Sequence, residues 1–416
     1  MRNPVVHKDI GHILVFWEDE QVRITTRRIR THHSDGRVTG ELLVETNAEG
    51  YANYPDWTHL HQAQFNFVSS TTRERLEKYL SGKFNEFSWY LILEQLCMIV
   101  LRWVREGESV VEIDTSQEIA PPKYLLYPLL PLNQPTIVFG DSGVGKSELA
   151  LIIATCIRLP YTDNTLGLEI GEESGEVLYL DYETDDSDIG WRLKCLQRGF
   201  ELPDFSIRYR YCALPVADDV ERIQQIISEV KAKLIIVDSL GMACGGDLNA
   251  ADVALRFFNA IRSLKTTTLI VAHTSKDPNM KAKTIFGSAF FKAAARSVWE
   301  CRNAQETGED EINVALFHRK ANISRLHPPM GFKFLFSEDK TRCKRQDVKG
   351  MPEFRDSLSA SVQIREVLKG GAMTTEGITE ETGLEKDTIR RTLNRMKDRG
   401  QVIKVGAHQW GLPYEE

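Results

Sequence analysis

Thr136-Ile-Val-Phe-Gly140-Asp-Ser-Gly-Val-Gly145-Lys146-Ser147 combines a strand-like run, a glycine-rich turn and a helix start in twelve residues. An apolar run breaks into glycines and reopens as a helix start, with Pro135 before it and Glu148-Leu-Ala-Leu-Ile-Ile-Ala-Thr after it. The pattern Gly, four residues, Gly-Lys-Ser fits a phosphate-binding loop, because glycines let backbone N–H groups turn toward phosphate oxygens with no side chain in the way. A helix that begins there also points its positive end at the anion. Gly140, Asp141, Ser142, Gly143, Val144, Gly145, Lys146 and Ser147 are therefore the candidate nucleotide-binding residues. Lys146 reaches the β- and γ-phosphates, and the Ser147 hydroxyl joins the coordination of Mg²⁺, so ATP and Mg²⁺ are the expected cofactors. By itself the loop fits a kinase as well.

Three further strand ends narrow the chemistry. Leu234-Ile-Ile-Val-Asp238 is an apolar run closed by a carboxylate, the form of a buried parallel strand whose acid stands at the carboxyl edge, where ligands of such sheets bind. Asp238 is the expected Mg²⁺ partner, directly or through water. Val177-Leu-Tyr-Leu-Asp181-Tyr-Glu183 delivers two acids at alternating positions, hence on one face. Glu183 is the candidate base for the attacking water. Asp181 either supports the strand end and the metal waters or belongs to a helix-capping acidic cluster with Asp185 and Asp186. His273, at the end of Leu269-Ile-Val-Ala-His273, is placed to hydrogen-bond a γ-phosphate.

At 416 residues the chain is expected to form two to three domains. With 42% hydrophobic and 27% charged residues and no apolar run near the roughly 18 residues of a membrane span, the composition is that of a soluble globular protein. The opening residues lack the apolar core of a secretory signal. Seven scattered cysteines contain no Cys-x-x-Cys pair, which argues against a disulfide or zinc scaffold. A cytoplasmic location is the resulting expectation. The net charge of −7 excludes a uniformly basic nucleic-acid coat, so DNA contact has to come from local patches.

Residues 1–120 read as an α+β accessory domain of unknown role. Ile13-Leu-Val-Phe-Trp17, Val22-Arg-Ile-Thr25, Glu41-Leu-Leu-Val-Glu-Thr46 and Gln64-Phe-Asn-Phe-Val68 suggest strands, with a turn at 34–37 and helices at 72–80 and 87–104. Arg23, Arg27, Arg28, Arg30 and Arg37 cluster near the hairpin, as a solvated strand face or a partner surface. His32, His33, His59 and His61 lack the spacing of a known metal set. Ala120-Pro121-Pro122 marks a boundary, since consecutive prolines cannot continue a helix. Residues 121–345 then alternate strands (136–139, 176–181, 234–238, 269–273, 313–317) with helices (148–157, 186–199, 219–231, 251–264), the mark of a parallel α/β sheet.

This set of motifs resembles the RecA-fold ATPases, and most closely the RepA-like and DnaB-like hexameric helicases of superfamily 4. In that group the catalytic glutamate follows the strand after the phosphate-loop helix, as Glu183 does here. His273-Thr-Ser matches the sensor strand, and Phe286-Gly-Ser-Ala-Phe-Phe-Lys-Ala-Ala-Ala-Arg296 looks like the segment after it. The similarity covers residues 121–335. It implies a RecA-like P-loop NTPase core that works as a homo-oligomer, with a hexamer as one form, and that binds single-stranded DNA in a central channel. Lys276, Lys281 and Lys283 stand where relatives line that channel. Phe317-His-Arg-Lys320-Ala-Asn-Ile-Ser-Arg325 sits after a late strand, where relatives place basic fingers that reach the neighbouring subunit's γ-phosphate, which gives Lys320 and Arg325 that role. An exposed basic turn is the plain alternative.

Residues 346–357 read as a polar linker, and residues 358–416 resemble a winged helix-turn-helix, with helices at 358–368, 374–382 and 386–399 and two short strands around Gly406. Ile389, Leu393 and Met396 share one face of the third helix, which leaves Arg390, Arg391, Arg395 and Lys397 for duplex DNA. A protein dock is the alternative. The expected fold is thus α/β, a RecA-like core with an N-terminal α+β domain and a C-terminal winged-helix domain. The expected activity is a Mg²⁺-dependent ATPase acting on DNA, most simply a replication or mobile-element helicase. A DNA-dependent remodeller of proteins and an ATP-switched DNA-binding regulator are the other two readings.

Overall fold

The computed structural model describes residues 3–9, 12–32, 35–106, 110, 112–116, 118–161, 163–275, 283–305, 308–406 and 408–413. They divide into two compact units, Met1–Ala120 and Pro121–Glu416.

In the first unit five strands, β1 (Val5–Asp9), β2 (His12–Trp17), β3 (Val22–His32), β4 (Arg37–Thr46) and β5 (Thr58–Asn66), form an antiparallel sheet in chain order. Helices α1 (Ser70–Lys83) and α2 (Trp89–Glu106) follow. Period-two alternation puts Ile13, Val15 and Trp17, Val22 and Ile24, and Leu42 and Val44 on one face, where they share a core with Leu80, Ile92, Leu96 and Val100. The polar pair that interrupts the apolar run of α2 is put to use: Gln95 accepts a 2.7 Å hydrogen bond from the Trp17 indole, and Glu94 pairs with Arg73 at 2.8 Å. The last strand is longer and earlier than its sequence suggests, because His59, His61, Gln62 and Gln64 mask the alternation by standing at least partly exposed opposite buried Leu60 and Phe65.

The second unit is built on a nine-stranded sheet. Its strands are β8 (Pro135–Gly140), β10 (Val177–Asp181), β11 (Arg208–Tyr211), β12 (Leu234–Asp238), β13 (Thr267–His273), β14 (Ser297–Ala304), β15 (Glu311–Ala321), β16 (Met330–Phe336) and β17 (Thr341–Gln346). The order is β11-β10-β12-β13-β8-β14-β15-β16-β17, parallel from β11 to β14 and antiparallel beyond. Helices α3 (Lys146–Arg158), α4 (Asp186–Gly199), α5 (Val216–Val230), α6 (Leu240–Cys244), α7 (Ala251–Ser263) and α8 (Ala289–Ala294) connect them. The parallel strands are buried on both faces and so read as unbroken apolar runs. Alternate residues feed two separate cores: Val138, Tyr179, Ile236 and Val271 on the α3 side, and Ile137, Leu178, Val237 and Ile270 on the α7 side. Short strands β6 (Tyr124–Tyr127), β7 (Leu130–Pro131) and β9 (Glu169–Ile170) make a small separate sheet.

Residues 346–357 are not an open connection. Two 3₁₀ turns, Val348–Gly350 and Pro352–Ser357, bury Val348, Met351 and Phe354 against Ala315 and Phe317 of β15. Their apolar residues are separated by charged ones, which is why the segment reads as polar. Beyond it α9 (Ala360–Leu368), α10 (Thr375–Thr382) and α11 (Lys386–Asp398) pack with a sheet of order β18-β20-β19 (Met373–Thr374, Gln409–Gly411, Ile403–Val405). Their core is Ile364, Leu368, Ile378, Ile389, Leu393, Met396, Val402 and Trp410. Among the described residues no helix is long and apolar enough to cross a membrane. All seven cysteines are buried and unpaired.

Candidate functional site

Strand register brings the sequence motifs to one edge. Asp181 lies opposite Asp238 between β10 and β12, and His273 lies opposite Gly140 between β13 and β8. The chain can bend into the phosphate loop there only with glycine. A Cβ on Gly140 would stand 2.3 Å from the Cys301 carbonyl oxygen, and Gly145 holds φ at 86°, a left-handed conformation that side chains disfavour. Helix α3 starts immediately afterwards.

A cavity of about 460 Å³ opens over this edge, lined by Ser142, Gly143 and Gly145 to Glu148 of the loop and by Glu183, Asp238 and His273. The Lys146 ammonium is buried and donates to the carbonyls of Gly140 (3.0 Å) and Asp141 (2.6 Å). Burial lowers its pKa, while the negative charges of Asp238, Glu183 and Asp141 oppose the shift. Its ammonium therefore occupies carbonyl oxygens of the loop that it would exchange for phosphate oxygens.

Asp238 is 5% exposed. One of its oxygens accepts a 2.6 Å hydrogen bond from the Tyr179 hydroxyl, the Ser147 side chain stands near the same carboxylate and favours its charged form, and Oδ1 has no protein partner. Burial raises its pKa against these bonds, and Glu183 and Asp181 raise it further. An unpartnered buried oxygen beside a serine hydroxyl, in a cluster of acids, fits a divalent cation held partly by water and phosphate. Among the described residues no group of three His, Cys, Asp or Glu could hold a metal unaided.

Glu183 lies beyond the end of β10. Its Oε1 accepts a hydrogen bond from the Ser239 hydroxyl and stands 3.6 Å from His273 Nε2. The expected same-face pairing with Asp181 is not kept. Asp181 is buried and folds back on the turn, accepting from the N–H groups of Glu183 (2.9 Å) and Thr184 (3.1 Å) and from the hydroxyls of Thr184 (2.6 Å) and Tyr209 (3.0 Å). It fixes the turn that presents Glu183, while Asp185 caps α4 through Asp188 N–H at 2.9 Å.

The far end of the cavity is walled by Trp191, Arg192 and Cys195 of α4 and by Phe336, Ser337, Glu338 and Thr341 at the β16–β17 turn. Arg198 and Asp339, 3.2 Å apart, tie that turn to α4. This wall is suited to a nucleoside, with an exposed indole as a stacking surface. Sequence reasoning missed it, since its halves lie about 150 residues apart. It also missed Tyr179, Ser239 and Glu148. The first two had a usable signal: Tyr179 precedes Asp181 by one alternation on a strand that pairs with β12, and Ser239 directly follows Asp238. Glu148 is buried in the first turn of α3, and burial pushes its pKa up to about 7.

Other candidates lie elsewhere. The segment expected to follow a strand is strand itself: β15 runs through Lys320 to Ala321. Ser297 pairs with both Thr136 and Ala321, and Val298 with Lys320, so Lys320 stands at the amino end of the sheet, away from its own phosphate loop. Its ammonium donates to the carbonyls of Lys292 (2.9 Å), Ala293 (2.6 Å) and Ala295 (2.6 Å) at the end of α8. Burial and the neighbouring Arg296, Lys292 and Arg262 lower its pKa. Arg325 is exposed in the following loop, which is anchored by a 3.1 Å bond from His327 N–H to His318 Nδ1. Lys276 and Lys281 lie outside the described residues, as does His33. Lys283 is held by Asp141. Arg390, Arg391, Arg395 and Lys397 are exposed on α11, opposite buried Ile389, Leu393 and Met396.

The family described as an AAA domain, a RecA-like phosphate-loop ATPase family, matches residues 105–279. The matched stretch holds the phosphate loop, Glu183, Asp238 and His273, and stops before Lys320 and α11. Among solved structures the chain is similar to a KaiC-like protein from the hyperthermophilic archaeon Pyrococcus horikoshii OT3, at 14% identity over 54% of this chain and 95% of that one, with a TM-score of 0.36. No curated protein matches the chain in sequence.

Proposed function

We propose that this chain is an oligomeric, Mg²⁺-dependent ATPase acting on DNA, a helicase or translocase of the RepA-like type. The observation that carries the hydrolytic part is Glu183, held by Ser239 and facing His273 across the mouth of a cavity floored by the phosphate loop and Asp238. Lys146 and the loop N–H groups hold the triphosphate. Magnesium bound by Ser147 and Asp238 would neutralise charge on the β- and γ-phosphates. Glu183 takes a proton from a water as its oxygen bonds the γ-phosphorus and the bond to the β–γ bridging oxygen breaks. His273 donates to a γ-phosphate oxygen. Lys320, which stands away from its own phosphate loop, and Arg325 in the loop that follows serve a second copy's site.

The DNA part rests on α11. Helices α9 to α11 with the hairpin of β19 and β20 have the order of a winged helix, and the exposed Arg390, Arg391, Arg395 and Lys397 suit a duplex backbone or groove. Lys283, with Lys276 and Lys281, suits a single strand at the core. The test is ATP-driven displacement of a labelled strand from a forked duplex, alongside hydrolysis with and without DNA. Hydrolysis stimulated by DNA without strand displacement makes the protein a remodeller or loader. Hydrolysis indifferent to DNA, with α11 variants binding DNA as well as wild type, refutes the reading.

A further inference from the structure

Asp141 is the one acidic residue of the phosphate loop, and its carboxylate accepts hydrogen bonds from the Thr274 hydroxyl and the Lys283 ammonium. Both partners belong to the chain that leaves β13 directly after His273. That chain returns on itself: Ser275 N–H donates to Thr284 O at 2.9 Å, Phe286 N–H to His273 O at 2.8 Å, and Thr274 bridges Ile285. Thr274 N–H also donates to Gly140 O at 3.2 Å. Lys283 is thus fixed beside the strand that carries His273. The main chain of Asp141 is tied to the phosphate-binding lysine, because its backbone carbonyl, with that of Gly140, accepts the Lys146 ammonium. One residue links Lys283 through its side chain to Lys146 through its main chain.

We infer that Asp141 is a positioning residue that latches Lys146 onto the loop carbonyls, and that an anion drawing Lys283 away loosens this latch. The inference rests on the reading that the core takes nucleic acid, whose phosphodiester oxygens are the anion. The Asp141 and Lys283 side chains are 49% and 47% exposed, so their ion pair is solvated, weak, and readily exchanged for a phosphate oxygen. Captured by a polyanion, Lys283 leaves Asp141 with Thr274 alone. The Asp141 peptide is then free to turn, and Lys146 gives up its carbonyls for the triphosphate at lower cost. The latched form is a share of the protein that does not bind, which weakens apparent nucleotide affinity by that share.

The experiment measures the Kd of a fluorescent ATP analogue, with Mg²⁺ and without nucleic acid, for wild type, Lys283→Met, Lys283→Arg, Asp141→Asn and the Lys283→Met/Asp141→Asn double variant. Lys283→Met and Asp141→Asn each tighten binding by about two- to fivefold, the range of an exposed ion pair. The double variant matches the singles, and Lys283→Arg, which keeps the charge, stays at the wild-type value. Raising salt tightens wild type toward the variants by screening the pair. Additive effects in the double variant, or no change in Lys283→Met, overturn the latch. Adding an oligothymidylate then tests the reading beneath it, and should close the gap between wild type and Lys283→Met. If single-stranded DNA does not bind while the variants still behave as one unit, the latch stands and the nucleic-acid reading falls.

Discussion

Replacing Glu183 with glutamine isolates the step that makes this cavity a hydrolytic site. The exchange preserves volume and leaves an acceptor oxygen for the Ser239 hydroxyl, so the turn shaped by Asp181 stays in place. What disappears is the capacity to take a proton from water. A positioned general base contributes about 10²- to 10⁴-fold, which is about 3–6 kcal/mol of barrier at about 1.4 kcal/mol per decade. The position of Glu183 agrees with that role. Its side chain is 39% exposed, reachable by water, and its Oε1 is 3.6 Å from His273 Nε2. The Lys146 contacts and Asp238 are untouched, so nucleotide binding should change by no more than about threefold, a small fraction of one hydrogen bond to a charged group. Single-turnover phosphate release at saturating ATP and Mg²⁺, paired with a binding titration, measures both. Phosphate release within tenfold of wild type would refute the assignment of Glu183 as the base. Parallel loss of binding and release would instead make Glu183 a structural anchor.

Three other outcomes follow from the same geometry. Tyr179→Phe removes the 2.6 Å hydrogen bond to buried Asp238 and should lower unfolding stability by about 1.5–3 kcal/mol in a urea titration, with weaker Mg²⁺ dependence of hydrolysis. Glu148 is 8% exposed and its pKa is raised by burial to about 7 from 4.5, so its folded state favours the protonated form. Its contribution to stability is complete below about pH 4.5 and is lost as pH rises through about 7, reaching a cost of about 3 kcal/mol at pH 8. Glu148→Gln should therefore stabilise the nucleotide-free protein at pH 8 far more than at pH 5, and equal gains at both would show that the carboxyl is not the cause. Finally, Lys320→Ala mixed with Glu183→Gln should recover part of the lost turnover if basic fingers act between copies, with each inactive alone; mixtures no better than their components would assign Lys320 to its carbonyl contacts at α8 only.

The order of the chemical groups along the chain is legible from local patterns. Glycine spacing at 140–147, apolar runs closed by Asp181, Asp238 and His273, and the double proline after Ala120 each record a local physical demand: a backbone turn around an anion, a strand buried on both faces, a chain that cannot remain helical. Such demands act over a few residues, so they can be read in a few residues. Strand order was not among them, yet it decides which of these ends meet. The tertiary structure alone placed His273 opposite Gly140 and Asp181 opposite Asp238. It also turned Asp181 inward while Glu183, held by Ser239, lines the cavity, and docked a linker of polar sequence through Val348, Met351 and Phe354. It set Lys320 at the amino end of the sheet, since the antiparallel turn back from β14 reverses the direction that the motif order implies. The nucleoside wall and the Asp141–Lys283 contact join residues about 140 positions apart. No local propensity encodes such meetings; they come from the shared burial of strands whose neighbours in space are not their neighbours in the chain.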